Sequence, residues 1–435
     1  MGSNAGKTTA EKLTEKNGIT FYRIRSDKFK TARADLFFVD DLTRERASAN
    51  ALIPMIIKRG CSKYPSVRDF ESKLEELYGA DIDGSVIKKG ELQFIGFHMS
   101  HVSDRYLNGE RLFDQCCDLL MCMLENPMTE DGGFCKTVFA QERDNLVDYI
   151  RSRVNDKMRY SLLRCIEEMC EGEPYAIPDE GTEEDVLLLT PRSAMDIYGQ
   201  MVSTYPAYAY ISGEVDDKSV QRFIDGFAQW DRGNVKKVSV AWESKDVTQV
   251  KKIHENMDVS QGKLCLGFRT HVDPGSEDYY PLVVYNGILG GDAHSKLFRN
   301  VREQASLAYY AQSVLEKYKG LMIILSGIDA GNRERAEDII LEQVEAMKKG
   351  NFSKEDLEAT LKSLETGMKS MQDSQRGIVD FFLSQHLIES GEDFDSMTEK
   401  LKRVTMDDVV RVAQKVQLDT IYFLKPDGRR QEESV

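Results

Sequence analysis

The sequence has few histidines and cysteines, the residues that most often hold zinc in proteins. Its 435 residues include only six histidines and eight cysteines, and no two cysteines stand in a CxxC spacing. A cysteine-based zinc site is therefore not expected. Cys116, Cys117 and Cys122 lie in an apolar run with helical spacing, where free thiols behave as small hydrophobic side chains. This usage of cysteine is typical of a protein kept in a reducing cytosol.

Long apolar runs and an excess of positive charge are also missing. No stretch approaches the ~20 apolar residues of a membrane span, and the first residues lack the apolar core of a secretory signal. The 58 Lys and Arg residues are outnumbered by 73 Asp and Glu residues, which gives a formal net charge of -15. Proteins that bind nucleic acids gather basic residues on one face. We therefore expect a soluble cytoplasmic protein that contacts neither membranes nor nucleic acids.

The chain runs through one plan twice. Residues 18–25 and 33–39 alternate or run apolar as strands of a half-buried sheet do, and residues 247–253 and 263–271 repeat that pair. The offset between the two passes is about 230 residues. In both halves the strands are followed by apolar helices, a Lys-Gly sequence beside an apolar strand, long amphipathic helices and a closing strand.

This repeat predicts the domain organisation and the fold class. We predict an N-terminal domain over residues 1–228, a polar linker over 229–245 and a C-terminal domain over 246–435. Strands interrupted by helical hairpins, without regular strand-helix-strand alternation, indicate an α+β fold. Each of the two homologous domains is expected to be a mostly antiparallel sheet covered on one side by helices.

One segment, residues 289–309, carries a recognisable motif. A glycine pair at Gly290 and Gly291 is followed by a helical face and then by Arg302 and Tyr309. The segment resembles the C-terminal motif of the pitrilysin/insulinase family of zinc peptidases, which includes the mitochondrial processing peptidase. The resemblance extends over nearly the whole chain, and it implies the metallohydrolase fold that this family shares with LuxS enzymes.

The same resemblance exposes a missing zinc site. Active members carry His-x-x-Glu-His on the first helix, where both histidines bind the metal and the glutamate is the general base. Aligned on residues 51–60, the two ligand positions and the base position hold Ala51, Met55 and Pro54. On the helix that supplies the third ligand, Glu142 is kept but Tyr149 takes the ligand position. The resemblance therefore implies a catalytically silent member with no catalytic residue, no metal ligand and no zinc.

The C-terminal motif is better preserved. In active relatives the equivalents of Arg302 and Tyr309 hold the peptide backbone, so the resemblance implies a substrate-binding role for both residues here. A guanidinium can grip a carbonyl or carboxylate through several donors, and a phenol can donate one more bond. The alternatives are that Arg302 is a salt-bridging helix residue and that Tyr309 is a packed strand residue. The glycine that precedes Leu-Ala-Tyr in the family is Ser306 here.

No other catalytic group is evident. His98 and His101 form the only close histidine pair, and we interpret them as structural residues of a strand. No GxSxG motif is present, and no cysteine has an activating histidine nearby in the sequence. The sequence thus gives no indication of a serine or cysteine nucleophile.

The function that we predict is that of a non-catalytic subunit that is not itself an enzyme. It would pair with a zinc-bearing peptidase homologue or with a second copy of itself and would hold a peptide or unfolded polypeptide. The resemblance to non-catalytic bacterial members suggests peptide processing or modification of elongation factor P. An active metallopeptidase with an unorthodox metal site and a scaffold that binds no peptide remain alternatives.

Overall fold

A computed structural model describes residues 7–238, 242–243 and 245–427. Its strands are β1 (Glu11–Lys16), β2 (Ile19–Ile24), β3 (Thr31–Asp41), β4 (Asp81–Lys89), β5 (Leu92–Val102), β6 (Thr129–Glu130), β7 (Gly133–Phe134), β8 (Ala207–Ser212), β9 (Lys251–Met257), β10 (Gly262–Arg269), β11 (Ala308–Glu316), β12 (Leu321–Ile328) and β13 (Gln417–Pro426). Its α-helices are α1 (Arg44–Ile57), α2 (Val67–Glu76), α3 (Leu112–Glu125), α4 (Lys136–Ser152), α5 (Lys157–Met169), α6 (Glu183–Leu188), α7 (Pro191–Thr204), α8 (Asp217–Ala228), α9 (Tyr279–Asn286), α10 (Arg333–Lys348), α11 (Lys354–Met371), α12 (Gln375–Leu387), α13 (Phe394–Lys402) and α14 (Met406–Ala413). None of the helices in these ranges is both long and apolar enough to cross a lipid bilayer.

The described residues form two compact units that are not contiguous in sequence. The first unit contains residues 7–151, 177–238 and 371–393. The second contains residues 152–176, the described part of 242–370, and 394–427. Each unit therefore includes a short segment from the other half of the chain. The division at 229–245 remains a prediction about the repeat, although Trp230, at the start of that range, is buried in the core of the first unit.

Two sheets with matching topology confirm the α+β fold class. The six-stranded sheet of the first unit has the order β1-β2-β8-β3-β5-β4, and the five-stranded sheet of the second has the order β11-β12-β10-β13-β9. In each sheet a single pair is parallel, β2 with β8 and β9 with β13, and the other neighbours are antiparallel. The strand that opens each repeat, β2 or β9, therefore pairs in parallel with the strand that closes it, β8 or β13, as a duplication requires.

The two Lys-Gly sequences lie at hairpin turns. Gly90 separates β4 from β5 and has a φ of 58°, and Gly320 separates β11 from β12 and has a φ of 64°. Positive φ values of this kind suit glycine, which has no Cβ to clash with the carbonyl oxygen. The sequence pattern had indicated one strand after each Lys-Gly, and the structure places a second strand before it.

Strand alternation gives the first sheet two different faces. On β3, Ala34, Leu36 and Phe38 belong to the hydrophobic core that also contains residues of α1, α3 and α7. Because successive side chains point to opposite sides of a strand, Asp35 and Phe37 lie on the other face. Helix α12 covers part of this second face. His386 of α12 forms a hydrogen bond of 2.7 Å with the hydroxyl of Tyr210 on β8.

The sheet of the second unit is likewise covered on two faces. Leu264, Leu266 and Phe268 of β10 pack into a core with α9 and α10. On the opposite face, Cys265 packs in a separate cluster that includes Met169 of α5. The prediction of helices on one side only was therefore wrong. The amphipathic pattern of α5 and α12 shows that each helix needs an apolar partner, but it does not show which strands provide it.

Candidate functional site

The first helix places the residues at the zinc-motif positions in packed surroundings. Ten of the fourteen residues of α1 are buried, including Ala51, which is only 3% exposed, and Pro54. Met55 is half-buried and packs against the same core. Proline inside a helix removes the N–H that would bond to the carbonyl four residues earlier. A Cβ on Gly84 of β4 would lie 2.6 Å from Cβ of Pro54, so the missing side chain there permits the helix to approach the sheet closely.

The retained acid on α4 is already satisfied by neighbouring side chains. Glu142 is 1% exposed, and its Oε1 accepts a 2.6 Å hydrogen bond from Nε of Arg59. Its Oε2 accepts a second bond from the side-chain amide of Asn145 at 3.2 Å. Tyr149, at the third-ligand position, is 41% exposed. Both oxygens of this carboxylate accept a hydrogen bond, and the positive guanidinium of Arg59 beside it would repel a zinc ion.

The described residues do not fit a catalytic zinc ion. Ala51 and Pro54 have no donor atom, the thioether of Met55 is a poor zinc ligand, and Glu142 forms an ion pair. Across residues 7–238, 242–243 and 245–427, no three His, Cys, Asp or Glu side chains form a group that could hold a metal. The geometry therefore provides no zinc-bound water and no general base beside it.

Arg302 and Tyr309 lie at the edge of the second sheet. Arg302 belongs to a π-helical turn, Phe298–Gln304, and its guanidinium carbon stacks over the ring of Phe298 at 4.5 Å. Tyr309 is 61% exposed and lies at an irregularity in the pairing of β11 with β12. The segment between them forms a turn, in which the N–H of Leu307 donates to the carbonyl of Val301 at 3.1 Å. Both side chains are exposed to solvent.

The conformation next to this motif explains why the family favours glycine there. Ser306 has a φ of 51°, in the left-handed region that residues with a Cβ adopt reluctantly. The serine hydroxyl makes one long bond, 3.4 Å, to the carbonyl of Glu303. The turn is therefore retained even though its preferred residue is not.

Sequence reasoning missed a hydrogen-bonded group of Ser85, His98 and Asp35 on the second face of the first sheet. Oγ of Ser85 lies 2.7 Å from Nε2 of His98, and Nδ1 of His98 lies 2.7 Å from Oδ1 of Asp35. Asp35 and His98 are direct partners across β3 and β5, and Ser85 stands on β4 opposite Gly96. Only the register of three strands brings these residues together, so no local spacing in the sequence indicates them.

Charged side chains surround Ser85, His98 and Asp35. Burial alone would raise the pKa of Asp35, but the hydrogen bond from His98 and the guanidinium of Arg33 outweigh it and hold that pKa below its ordinary value. Arg33 binds Asp35 through Nε at 2.8 Å and through a second nitrogen at 2.6 Å. Asp83 also faces His98 across β4 and β5. Although partial desolvation opposes the shift, the pKa of Asp83 is lowered by the Gly84 N–H, by Lys58 and by His98.

His101 does not join His98. Three residues apart on one strand, the two side chains point to opposite faces of the sheet. Nδ1 of His101 lies 2.7 Å from the carbonyl oxygen of Val102, and its ring is tilted against Phe113. Burial lowers the pKa of His101. The two histidines therefore do not combine into a metal site.

Comparison with known proteins identifies the family. A family model described as the peptidase M16 inactive domain matches residues 189–364. The chain is 34% identical over 416 residues to a Bacillus subtilis (strain 168) protein named probable inactive metalloprotease YmfF, which covers 95% of this chain and 97% of that protein. It is 25% identical over 263 residues to the uncharacterized zinc protease YmxG of the same organism, covering 58% of this chain and 61% of the relative.

Solved structures share the fold over almost the full length. A conserved protein from Enterococcus faecalis V583 superposes with a TM-score of 0.90 at 26% identity, covering 96% of this chain and 99% of that one. A peptidase M16 inactive domain from Pseudomonas fluorescens gives 0.81 at 14% identity, covering 96% and 98%, which is a likeness of fold alone.

The fold and the residues at the motif positions define a metallopeptidase-like protein without a catalytic zinc centre. The chain belongs to the peptidase M16 family, the pitrilysin/insulinase zinc peptidases, as one of its inactive members. The family resemblance expected from residues 51–60 and 289–309 is thereby confirmed.

Proposed function

We propose that this chain is a peptide-holding subunit that works beside a zinc-bearing homologue. In this proposal the partner performs the hydrolysis, while Arg302 and Tyr309 bind the polypeptide. A second copy of the chain is the alternative partner, and the cytoplasm is the expected location. The process served would be peptide processing or modification of elongation factor P.

The observation that carries this proposal is the unpaired state of Arg302 and Tyr309. No acidic side chain of the described residues forms a salt bridge with Arg302, although arginines elsewhere in the second unit, such as Arg269, are held by carboxylates. Within the same residues, no hydrogen bond involves the hydroxyl of Tyr309. An exposed guanidinium and phenol that form no ion pair or hydrogen bond within the described residues have donors to offer to a peptide carbonyl or carboxylate.

The neighbouring strand supports the same role. β11 is the last strand in its sheet, so its outer edge has backbone N–H and C=O groups that no described strand pairs. An extended peptide can add to such an edge through main-chain hydrogen bonds. Arg302 and Tyr309 stand at the beginning of this strand, where they could anchor one end of the peptide.

Binding of fluorescein-labelled, alkylated casein, measured by fluorescence anisotropy, tests the peptide-holding role. We expect Arg302→Ala to raise Kd about 5-fold or more, equivalent to about 1 kcal/mol, since binding anchors lost to alanine cost this much or more. Tyr309→Phe, which removes only the hydroxyl, should have a smaller effect in the same direction. Arg335→Ala removes another exposed arginine of the second unit and is the matched control.

If Arg302→Ala and Arg335→Ala lose the same affinity for casein, the effect is due to the overall charge of the protein, and the proposal is contradicted. Wild-type protein that does not bind the casein at all would favour the scaffold alternative. The partner is tested separately, by capture of the tagged chain from native cytosol. A homologue with His-x-x-Glu-His should copurify at a fixed stoichiometry, and its absence together with a monomeric mass would reject the subunit role.

A further inference from the structure

We propose that Ser85 is an activated nucleophile, with His98 as its base and Asp35 as the residue that orients the base. The proposed reactivity is toward small acyl esters. It is independent of the peptide-holding role and unrelated to zinc hydrolysis. The three side chains lie in the first unit and are linked by two hydrogen bonds of 2.7 Å.

The direction of both hydrogen bonds follows from the charge of Asp35. An ionised carboxylate only accepts hydrogen bonds, so Nδ1 of His98 must carry the proton that it donates to Asp35. In the neutral imidazole, Nε2 is then left with its lone pair facing Ser85. The serine hydroxyl donates to that nitrogen, which is the arrangement in which a histidine can remove the serine proton.

The residues around Ser85 and His98 also leave room for the hydrogen bond between them. Gly96 lies on the same face, and a Cβ there would stand 2.7 Å from Nε2 of His98 and 2.8 Å from Oγ of Ser85. Any larger residue would separate the base from the nucleophile. Asp35 and His98 are buried, at 1% and 8% exposure, whereas Ser85 is only half-buried and lies on an edge strand that a reagent can approach.

A donor for the developing oxyanion is available next to the nucleophile. The N–H of Lys88 donates to Asp179, away from β5, at 3.1 Å. Because backbone groups alternate in direction along an antiparallel strand, the N–H of Val86 points to the same outer edge. An N–H adjacent to the attacking serine suits the stabilisation of negative charge on an acyl oxygen.

The reaction would proceed in two balanced steps. Oγ of Ser85 bonds to the acyl carbon, its proton passes to Nε2 of His98, and the alcohol leaves with that proton as the ester C–O bond breaks. Water then gives a proton to Nε2 and adds its oxygen to the acyl carbon. The bond to Oγ breaks, the acid is released and the proton returns to Ser85. Arg33 also binds Oδ1 of Asp35 at 2.6 Å, so this carboxylate is shared between the guanidinium and His98.

Covalent labelling of the full chain with a fluorophosphonate is the test. The serine oxygen displaces fluoride from phosphorus, so one adduct per chain is expected by intact mass, and peptide mapping should place it on Ser85. Ser85→Ala should abolish the adduct, and His98→Gln should slow its formation about 100-fold, the typical contribution of a general base. Ser100→Ala alters a half-buried serine of the same face and should label at the wild-type rate.

Two further measurements test the assignment if His98→Gln does not fold. Gly96→Ala, checked for a native circular dichroism spectrum, should also lose the adduct, because its methyl group separates the pair. Hydrolysis of p-nitrophenyl acetate should depend on both Ser85 and His98. The charged neighbours that face this histidine are Asp35, Arg33 and Asp83. No adduct on wild-type protein, or equal labelling of Ser85 in His98→Gln, would overturn the assignment.

Discussion

The buried carboxylate of Glu142 accepts a 2.6 Å hydrogen bond from Nε of Arg59, and these two residues join α4 to the end of α1. Both helices would supply metal ligands in an active peptidase of this family. Here the acid that remains is neutralised by an arginine instead of a cation from solution. The ion pair thus keeps the two helices connected where the motif has no ligands.

We expect Glu142→Ala to lower the free energy of unfolding by about 1 to 3 kcal/mol. The substitution leaves Arg59 without its partner, and a charge left unpaired in a partly buried site is costly. A double-mutant cycle with Arg59→Ala, measured by urea denaturation, should give a clear coupling energy. The exposed pair Arg222 and Asp118 is the control and should couple by less than about 1 kcal/mol. Similar coupling in both cycles would contradict a structural role for the Glu142 pair.

Zinc should not be retained by the purified chain. After incubation with zinc and dialysis, mass spectrometry of the metal is expected to find far less than one ion per chain, because the motif positions carry methyl, pyrrolidine and thioether groups. A homologue with an intact His-x-x-Glu-His, treated in parallel, should retain one. Stoichiometric zinc in this chain, removable only by a chelator, would revive the unorthodox metallopeptidase alternative.

Much of each unit could be predicted from local sequence patterns. The alternation in residues 33–39 predicted β3. Serine is a residue type that commonly caps helices, and the side chain of Ser66 caps α2 by accepting from the N–H of Asp69 at 3.1 Å. The boundaries were less accurate. The strand predicted over 247–253 is β9, which begins at Lys251, where its pairing with Thr420 of β13 begins, and extends to Met257.

The long-range arrangements could not be predicted because local patterns do not record them. Helix α5 covers one face of the second sheet, and α12 covers part of one face of the first. The amphipathic pattern of a helix shows that it packs against an apolar surface but does not specify which one. The contacts of His98 depend on the register of three strands, and Ser85 is too far from Asp35 in sequence for any motif. The substrate-binding roles of Arg302 and Tyr309 remain predictions.

Ser306→Gly is expected to stabilise the second unit by about 0.5 to 1 kcal/mol. Glycine adopts the φ of 51° without the steric cost of a Cβ, and this gain exceeds the entropy that glycine adds to the unfolded chain. The measurement is the midpoint of urea denaturation at constant slope. Ser306→Ala keeps the Cβ and is the control, which should not stabilise. A lower midpoint for the glycine variant would show that the hydroxyl bond to Glu303 outweighs the backbone strain.

Stability should also fall as the pH drops from about 6.5 to about 4, partly through His386. Burial, followed by the positive charge of Lys12, lowers the pKa of His386 to about 4. Between the two values the unfolded chain binds the proton and the folded chain does not, so acid favours unfolding. After allowance for solvent screening, the loss is about 1 kcal/mol. His386→Gln should flatten the pH dependence of the unfolding free energy, and exposed His254→Gln should alter it less. An unchanged slope in His386→Gln would contradict a neutral histidine stacked on Tyr22.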